Sequence, residues 1–522
     1  MLSSAYVPYL APEMLLTVWA MLLLLADAFL SLTPRAMAAL SLAGILSATL
    51  LTLGFNTTPL LYWGGLCSWD GAAKFYHVFF LAVAALVTWM ADDVQKPVRS
   101  GASEFIILPL FTTAGLMLLS SANDFMLLFV ALELVTISFY ILVAYQRRSV
   151  IALEAGVKYL ILGALSSAFL VMGVAYIFGL TGTTLFTSTT PGVDSIANHF
   201  HNDFPVGVAF GLLLVLTGIG FKIAMVPFHS WAPDVYEGAP NSITAFLSVG
   251  SKAGGLIMLI RVVLGVFDHS TAAAIWIPAL SIGAILSLIL GNLAAIPQRN
   301  LKRLLGYSSI GHSGFILVAI IAASATLTGT AYTQSPNDLT GQVAVAAYLV
   351  TYLLATFTAF IVLAVLERRL PGLEIHHLAG LSQRSPLLAA AFALSLISMA
   401  GVPPMSGFIA KFYVVLVAWN KGLYTLLGFT IFAAVAALYY YLGPIKTMYW
   451  SEPLDEAPIR VERTTRHVLV ILMILLVLTG FWAQSISILV HNAVIGKGVP
   501  AASAVAVNKE PRRKQRGIAD SE

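Results

Sequence analysis

Charged residues are scarce in this sequence. Asp, Glu, Lys and Arg make up 10% of the 522 residues, whereas hydrophobic residues make up 59%. A soluble domain usually carries about 25% charged residues, so the composition excludes an ordinary soluble fold. The single cysteine, Cys67, excludes an intramolecular disulfide, a four-cysteine iron–sulfur cluster and a structural zinc site built from this chain alone. The small net charge of +4 gives no reason to expect nucleic acid binding, because membrane proteins collect Lys and Arg in cytoplasmic loops.

Sequence motifs for bound cofactors are absent as well. The chain contains no phosphate-binding glycine loop with its lysine and hydroxyl, no dinucleotide-binding fingerprint after a strand, and no paired metal-ligand motif. We therefore expect this chain itself to bind no cofactor and no metal ion. Ion movement is the only chemistry that the residues suggest.

Long apolar runs fill the chain from one end to the other. Each is about 20 residues long, enough for a helix to cross a hydrocarbon core of roughly 30 Å. Polar residues and Pro/Gly breaks divide the sequence into about fourteen such runs, of which the fourth and fifth are separated only by residues 121–124. The predicted fold class is an all-α polytopic membrane protein with about fourteen transmembrane helices.

The basic residues predict an orientation. Lys and Arg concentrate in alternate loops, whereas the opposite loops contribute only Lys74, Arg261 and Lys421 before the carboxyl-terminal tail. Because basic loops face the cytoplasm, the amino terminus is predicted on the outer side. The basic tail, residues 495–522, is predicted to be disordered from its Pro, Lys and Arg content.

Two spans, the seventh and the twelfth, contain helix breakers in the middle of apolar sequence. The breaks lie at Pro227 and at Pro403, Pro404 and Gly407. Proline removes a backbone donor and clashes with the preceding turn, so a break persists at membrane depth only if protein or water satisfies the freed groups. Matching breaks in two halves of a transporter are typical of its translocation path. For either break alone, a proline kink that only aids packing is the alternative.

The positions of the breaks predict an inverted repeat. The broken spans are five apart, and an odd offset makes the two copies face opposite ways across the bilayer. Lys222 precedes the first break and Lys411 follows the second. The predicted organisation is a three-helix segment (1–103), a first five-helix repeat of helices 4–8 (104–266), a second, inverted repeat of helices 9–13 (274–450), a carboxyl-terminal helix (451–494) and the tail (495–522).

Four lysines lie inside the predicted spans, namely Lys158, Lys222, Lys252 and Lys411. A lysine at the bilayer centre costs roughly 2.5 to 3.5 kcal/mol on insertion scales, so retaining several indicates a function. Desolvation disfavours an ammonium and a nearby carboxylate favours it, so movement of a partner charge loads and unloads the proton. We interpret Lys252, which lies among Gly and Ser residues of the eighth span, as a switchable proton carrier.

Other ionisable residues are candidates for the same path. Glu133 lies at the centre of the fifth span and is the predicted partner of Lys222, with a purely structural ion pair as the alternative. Lys158 follows Glu154 by four residues on one helix face, so simple neutralisation explains it as well as proton transfer does. His312 lies in the tenth span, where a neutral imidazole either passes protons between lysines or has a structural role.

Three segments carry a resemblance to a known family: FKIAMVPFHSWAPDVYEGAP, NLKRLLGYSSIGHSG and AGVPPMSGFIAKFY, in this order. With these motifs the chain resembles the antiporter-like subunits of respiratory complex I over nearly its whole length, and among them the N type. The resemblance implies that Glu133 and Lys222 form the paired charge of a first half-channel and that Lys252 links the halves. Lys411 would end the path in the second half. The auxiliary residues would be Lys158 and His312.

The resemblance also implies a setting. The chain would be a proton-translocating membrane-arm subunit of an NADH-quinone oxidoreductase in the bacterial cytoplasmic (inner) membrane. Partner subunits would hold NADH, FMN, iron–sulfur clusters and quinone, and this chain would hold no redox centre. Its neighbours would be small multi-helix subunits, the M-type antiporter-like subunit and lipid, with the peripheral redox arm acting indirectly.

Two other functions remain open at this point. A subunit of a multisubunit sodium/proton antiporter has the same broken helices, although L-like and M-like features are less well matched here. A structural membrane subunit that does not pump, whose lysines only bind partner helices, is the alternative of a different class. Replacement of Lys222 or Lys252 by Ala separates them, because normal pumping by an assembled complex would contradict a proton relay.

Overall fold

A computed structural model describes residues 8–30, 32–94, 101–188, 192–199, 204–327, 340–370, 372–453 and 455–494, so the predicted disordered tail lies outside the described residues. The helices of the first half are α1 (Ala11–Leu30), α2 (Pro34–Gly54), α3 (Gly71–Asp93), α4 (Ala102–Ser121), α5 (Phe125–Val143), α6 (Val150–Thr181), α7 (Val206–Lys222), α8 (Trp231–Gly238), α9 (Asn241–Phe246) and α10 (Lys252–Val263). Those of the second half are α11 (Ser270–Ala295), α12 (Leu301–Ala322), α13 (Gly341–Glu367), α14 (Leu381–Arg384), α15 (Pro386–Ala400), α16 (Ser406–Asn420), α17 (Tyr424–Trp450), α18 (Arg463–Phe481) and α19 (Ala483–Val494).

The number of spans agrees with the sequence. Twelve helices in the described part are long and apolar enough to cross a membrane, and one of these joins α9 and α10 through a π-helix, Leu247–Ser251. Two further spans each consist of two shorter helices, α7 with α8 and α15 with α16. The all-α polytopic membrane fold is therefore confirmed, and both interrupted spans are the seventh and twelfth in order.

A polar turn separates α4 from α5, as predicted. Asp124 caps α5, because its side chain accepts hydrogen bonds from the backbone N–H groups of Met126 (2.7 Å) and Leu127 (3.0 Å). The turn is held against a short antiparallel hairpin of β1 (Leu60–Tyr62) and β2 (Cys67–Trp69), which the sequence did not predict. Cys67 is fully buried there.

The loops fall on two sides of the molecule. On one side a β-bridge joins Asn300 to Glu374, and Arg384 binds Asp455. On the opposite side, bridges join Cys67 to Ala122 and the start of α5 to the loop after α6. In these contacts basic loops meet other basic loops, and loops poor in Lys and Arg meet one another.

Three spans form the centre of the molecule. The α9–α10 span is fully buried over its most apolar window, and α12 and α13 are each 94% buried, whereas α1 and α18 at the periphery are 22% buried. In each half, one long helix packs against both parts of the broken span: α6 against α7 and α8, and α13 against α15 and α16. This correspondence is the arrangement that a five-helix repeat requires.

Candidate functional site

The first helix break occupies residues 223–230, between α7 and α8, and contains Pro227. Freed backbone groups need partners at membrane depth. Other parts of the protein supply them: Trp231 Nε1 donates to the Phe221 carbonyl (2.9 Å), Ser313 Oγ donates to the Ile223 carbonyl (2.6 Å), and the Val226 N–H donates to Ser287 Oγ (3.0 Å). These contacts fix the break in place and bring α12, which carries Ser313, against it.

The second break occupies residues 401–405, between α15 and α16, and contains Pro403 and Pro404. Lys411 lies beyond it in α16 and is 6% exposed. Its Nζ reaches back across the break and donates to the Ala400 carbonyl at 2.8 Å. A carbonyl at the end of a helix has no partner within that helix and carries the negative end of the helix dipole, so it is a favourable partner for an ammonium.

Gly407 contributes to the second break by close packing. It is the second residue of α16, and its N–H donates to Ser398 Oγ at 3.1 Å. A Cβ on Gly407 would lie 1.8 Å from the Ser398 carbonyl oxygen, a distance that no side chain can occupy. Glycine at this position therefore lets α16 begin directly against the end of α15.

Lys222 and Glu133 lie near each other but do not form a direct ion pair within 4.0 Å. Lys222 is the last residue of α7, is 4% exposed, and donates from Nζ to Thr136 Oγ1 at 2.7 Å. Glu133, one turn earlier than Thr136 in α5, accepts a hydrogen bond from Ser167 Oγ at 2.5 Å. The structure thus places the Thr136 hydroxyl, and not the expected Glu133 carboxylate, on the Lys222 ammonium. Glu133 lies one turn away along α5.

Lys252 lies at the centre of the fold, in the first turn of α10 after the π-helix, and is 3% exposed. Its Nζ donates to the Ser309 carbonyl at 2.5 Å and also to the Ser309 hydroxyl of α12. The Tyr352 ring lies 5.8 Å from the ammonium. A π-turn often marks a functional position, and the sequence gave no sign of this one.

Lys252 is connected in both directions. Towards the first break, Gly255 lies one turn after Lys252, and a Cβ there would be 3.3 Å from Cβ of Lys222, so the two lysines belong to adjacent turns of packed helices. Towards the second half, the Tyr352 hydroxyl donates to Ser309 Oγ at 3.1 Å. Ser309 therefore shares its hydroxyl between Lys252 of α10 and Tyr352 of α13.

A small cavity continues the path from Tyr352. It offers about 10 Å³ to the centres of water molecules, roughly one water, and its walls include Tyr352, His312, Tyr348 and Lys411. The polar side chains on these walls come from α12, α13, α15 and α16, four helices that only the tertiary fold brings together. Lys252 and Lys411 are thereby joined through Ser309, one tyrosine hydroxyl and this cavity.

His312 is buried in a group of hydroxyl-bearing side chains, the hydroxyl cluster, which consists of Ser309, Tyr348, Tyr352 and Tyr441. Its Nδ1 is 2.6 Å from the Tyr348 hydroxyl and its Nε2 is 3.1 Å from the Tyr441 hydroxyl. A hydroxyl can donate or accept, so both tautomers of a neutral imidazole are satisfied in the same place. This is the arrangement that a side chain passing protons needs.

Lys158 lies outside the buried path. Its side chain is 42% exposed and pairs with Glu154 (2.7 Å) and with Asp234 of α8 (2.6 Å). Asp234 also binds Arg303 of α12 at 2.7 Å. Lys158 is thus part of an ion-pair network on the side of the basic loops, in which the predicted neutralisation by Glu154 is present.

Within the described residues, no group of three or more His, Cys, Asp and Glu side chains could hold a metal ion. The polar groups that do converge are lysines, hydroxyls and one imidazole. Their common chemistry is the binding and transfer of protons.

Comparison with known proteins supports the resemblance. The family described as "NADH:quinone oxidoreductase/Mrp antiporter, TM" matches residues 122–437. NADH-quinone oxidoreductase subunit N of Rhodospirillum rubrum is 38% identical over 483 residues, which are 91% of this chain and 94% of that protein. A chain of respiratory complex I from Thermus thermophilus superposes with a TM-score of 0.74 and 30% identity, over 91% of this chain and 98% of that one.

A more distant structure shares the fold alone. A chain of the Mrp complex from Dietzia sp. superposes with a TM-score of 0.77 over 94% of this chain and 98% of that one, at 19% identity. Relatives from three bacteria that are more than 30% identical to this chain, over most of its length and of their own, are named NADH-quinone oxidoreductase subunit N. The chain therefore belongs to the NADH-quinone oxidoreductase subunit N family of antiporter-like membrane subunits.

Proposed function

We propose that this chain moves protons through the membrane arm of an NADH-quinone oxidoreductase along Lys222, Lys252 and Lys411. The observation that carries the proposal is the continuous connection from Lys252 through Ser309 and Tyr352 to the cavity lined by His312 and Lys411. It crosses the boundary between the two predicted repeats at the centre of the fold.

The charges of the three lysines support a switching mechanism. Each ammonium donates to a neutral oxygen, namely the Thr136 hydroxyl, Ser309 or the Ala400 carbonyl, and none has a carboxylate of the described residues within 4.0 Å. Without a fixed counter-charge, the proton affinity of each amine depends on more distant charges. Two unit charges about 10 Å apart interact by roughly 1.7 kcal/mol at an effective dielectric constant of about 20, which is more than tenfold in affinity.

The transfer follows from these contacts. Transfer towards Lys411 requires the Ser309 hydroxyl to turn towards Tyr352, which now donates to it. Lys252 then gives a proton to Ser309 Oγ, Ser309 gives its own proton to the Tyr352 hydroxyl, and Tyr352 gives its own to a water in the cavity, from which His312 or the neutral amine of Lys411 takes it. When one lysine loses its proton, the next lysine no longer has that positive charge in its surroundings. The second lysine then binds its own proton more tightly. Glu133 lies beyond ion-pair distance and is one of the more distant groups that act on Lys222, and Lys158 belongs to the surface network that faces the basic loops.

The setting of the chain is part of the same proposal. The amino terminus lies on the outer side of a bacterial cytoplasmic membrane, and the basic loops face the cytoplasm. NADH, FMN, iron–sulfur clusters and quinone are held by partner subunits, and the neighbours in the membrane are small multi-helix subunits and an M-type antiporter-like subunit. The two five-helix repeats, residues 104–266 and 274–450, are related by inversion, as the corresponding broken spans suggest.

Two substitutions of Lys252 test the proposal in the assembled complex. Lys252→Ala removes the carrier, whereas Lys252→Arg keeps the positive charge and the donors but does not release its proton. In both variants, the rate of proton translocation that accompanies NADH oxidation in proteoliposomes is expected to fall at least about tenfold. Lys446→Ala, which changes an exposed lysine of α17, is the matched control and should pump as the parent does.

The arginine variant separates a relay from a structural role. If Lys252 only held α10 against α12, Arg would preserve much of that contact, and pumping would survive in Lys252→Arg. Normal pumping in both variants of a fully assembled complex would contradict the proposal. Repeating the parent measurement with and without sodium tests whether the carried ion is the proton alone.

A further inference from the structure

A second group of buried ionisable side chains lies in the three-helix segment, away from the lysine path. Glu13 of α1 is 2% exposed and His77 of α3 is fully buried, and their closest approach is 3.4 Å, from Glu13 Oε1 to His77 Nε2. Both precede residue 122, where the family match begins. The sequence pattern singled out neither of them.

The contacts of His77 decide where its proton lies. Nε2 is 3.0 Å from the Met117 carbonyl and 3.4 Å from Glu13 Oε1, and both of these atoms are acceptors. Nε2 therefore carries the hydrogen in the neutral imidazole. Nδ1 has no hydrogen-bond partner among the described residues, and neither oxygen of Glu13 accepts a hydrogen bond there.

The geometry of the Glu13–His77 pair makes a net negative charge on it unfavourable. A carboxylate beside a neutral imidazole would bury a net negative charge with no donor on its oxygens, which is very unfavourable in an apolar interior. One additional proton removes that charge, either as a carboxylic acid on Glu13 or as an N–H at Nδ1 of His77. The pair thus has one vacant protonation position and two places to hold the proton.

A large cavity lies close to the pair, and contacts through Met117, Ser120 and Arg261 connect its wall to His77. The carbonyls in this series only accept hydrogen bonds and the guanidinium keeps its protons, so these contacts fix the wall in place and the exchanged proton travels by water. The Met117 carbonyl, which faces His77, also accepts from Ser120 Oγ at 2.8 Å, and the Ser120 carbonyl accepts from Arg261 at 2.8 Å. Arg261 in turn binds Asp70 through two nitrogens, at 2.6 Å and 2.9 Å. Asp70 and Arg261 line a cavity that offers about 490 Å³ to water centres, many times the volume that one water needs.

The surrounding groups do not compete for the proton. Among the described residues, the charged and titratable side chains that interact electrostatically with Glu13 or His77 are Tyr62, Cys67, Asp70 and Arg261, while Lys74, Tyr76, Glu104, Asp124 and His491 also lie on the elements around α1 and α3. Burial, followed by the charge of Glu13, raises the pKa of Tyr62 well above its usual value and that of the Cys67 thiol to about 12. Burial alone would raise the pKa of Asp70, but Arg261 outweighs it and keeps the carboxylate ionised.

We propose that Glu13 and His77 form a proton-binding site separate from the lysine path, which exchanges one proton with the outer side through the cavity lined by Asp70 and Arg261. The site binds a proton when the outer pH is low and releases it when the outer pH is high. It does not require Lys252 to be a carrier, so the two proposals fail independently.

Infrared difference spectroscopy of the complete complex tests the site directly. A pH step should change the carbonyl stretch of a protonated carboxyl group in the parent, and this component should disappear in Glu13→Gln. Glu104→Gln, which changes an exposed carboxyl of neighbouring α4, is the matched control and should retain it. In His77→Gln the band should persist with a shifted midpoint, because the imidazole tunes the acid without being its only proton holder. Identical difference spectra for the parent and Glu13→Gln would overturn the proposal.

A measurement on the parent complex covers the case in which a variant fails to assemble. Dicyclohexylcarbodiimide is an apolar reagent that modifies protonated carboxyl groups, and the modified residue is identified by mass spectrometry of the digested chain. Modification of Glu13 is expected at low outer pH, and it should fall on the order of tenfold per pH unit above the titration midpoint. Modification that is absent, or independent of the outer pH, would overturn the proposal, while loss of pumping in Lys252→Ala would leave it unaffected.

Discussion

Tyr352→Phe is expected to interrupt proton transfer between the two halves while leaving the fold intact. The hydroxyl of Tyr352 lies 3.1 Å from Ser309 Oγ and 2.7 Å from Ser248 Oγ, and the residue is 4% exposed. Phe keeps the ring and its packing but removes the hydroxyl that joins the Lys252 side of the path to the cavity beside Lys411.

The magnitude follows from the two lost hydrogen bonds. Each contributes about 0.5 to 1.5 kcal/mol net, so the fold should lose roughly 1 to 3 kcal/mol. Ser309 retains Lys252 and the Tyr236 hydroxyl at 2.7 Å as partners, which limits the cost. A transfer barrier raised by the value of one such bond, about 1.4 kcal/mol, slows proton passage about tenfold.

The assay is the number of protons translocated per NADH oxidised by the reconstituted complex, with assembly checked on native gels. Tyr439→Phe makes the same change at a tyrosine of α17 that is 71% exposed, and it should behave as the parent. The proposed route between Lys252 and Lys411 would be refuted by an assembled Tyr352→Phe complex with the parental rate and ratio.

Three further predictions concern packing, pH and reactivity. Gly407→Ala places a Cβ 1.8 Å from the Ser398 carbonyl oxygen, so it should cost about 1 to 3 kcal/mol or more and lower the thermal unfolding temperature of the complex. Arg261→Gln should weaken the fold most near neutral pH, and its deficit should shrink only as the pH falls below the ordinary range of an aspartate towards the lowered pKa of Asp70, because the stability from that lowered pKa is lost there. Cys67, with its pKa raised to about 12 by burial, should resist iodoacetamide in the native complex at mildly alkaline pH and react after denaturation.

Each of these has a matched comparison. Gly428→Ala adds a Cβ with nothing within 4 Å, so an equal loss of stability in both glycine variants would contradict the packing argument. A constant stability difference between parent and Arg261→Gln across the acid range, measured by thermal unfolding, would show that the ion pair does not control Asp70. Rapid labelling of Cys67 in the native complex would show that the hairpin opens readily.

Much of the fold could be predicted because a membrane span is a local property. An apolar run of sufficient length is a helix wherever it lies, since the hydrocarbon core forces its backbone groups to bond internally. The turn at Asp124 and the break at Pro227 could be read in the same way, because a capping carboxylate and a proline act on their own few residues.

The hydroxyl cluster could not be predicted in this way. α12 and α13 are almost wholly buried, so neither helix has a polar face that turns towards solvent or lipid. The sequence therefore does not show which side of each helix packs against which neighbouring helix. Ser309, Tyr352 and Tyr348 look like ordinary residues of apolar helices until the helices are packed. Glu13 was missed for the same reason, because its partner His77 lies on a helix that is not adjacent to α1 along the chain.

The sequence by itself thus determined the number of spans, the two breaks and the presence of Lys222, Lys252 and Lys411 in buried spans, because hydrophobic length and helix breaking act locally. Only the tertiary structure decided what each lysine touches. In the structure, Lys222 donates to the Thr136 hydroxyl, and Lys252 is connected to Lys411 through Ser309 and the cavity. Lys158 lies in a surface ion-pair network. Proton transfer depends on contacts of about 3 Å, and such distances are set by how helices from both halves pack against each other.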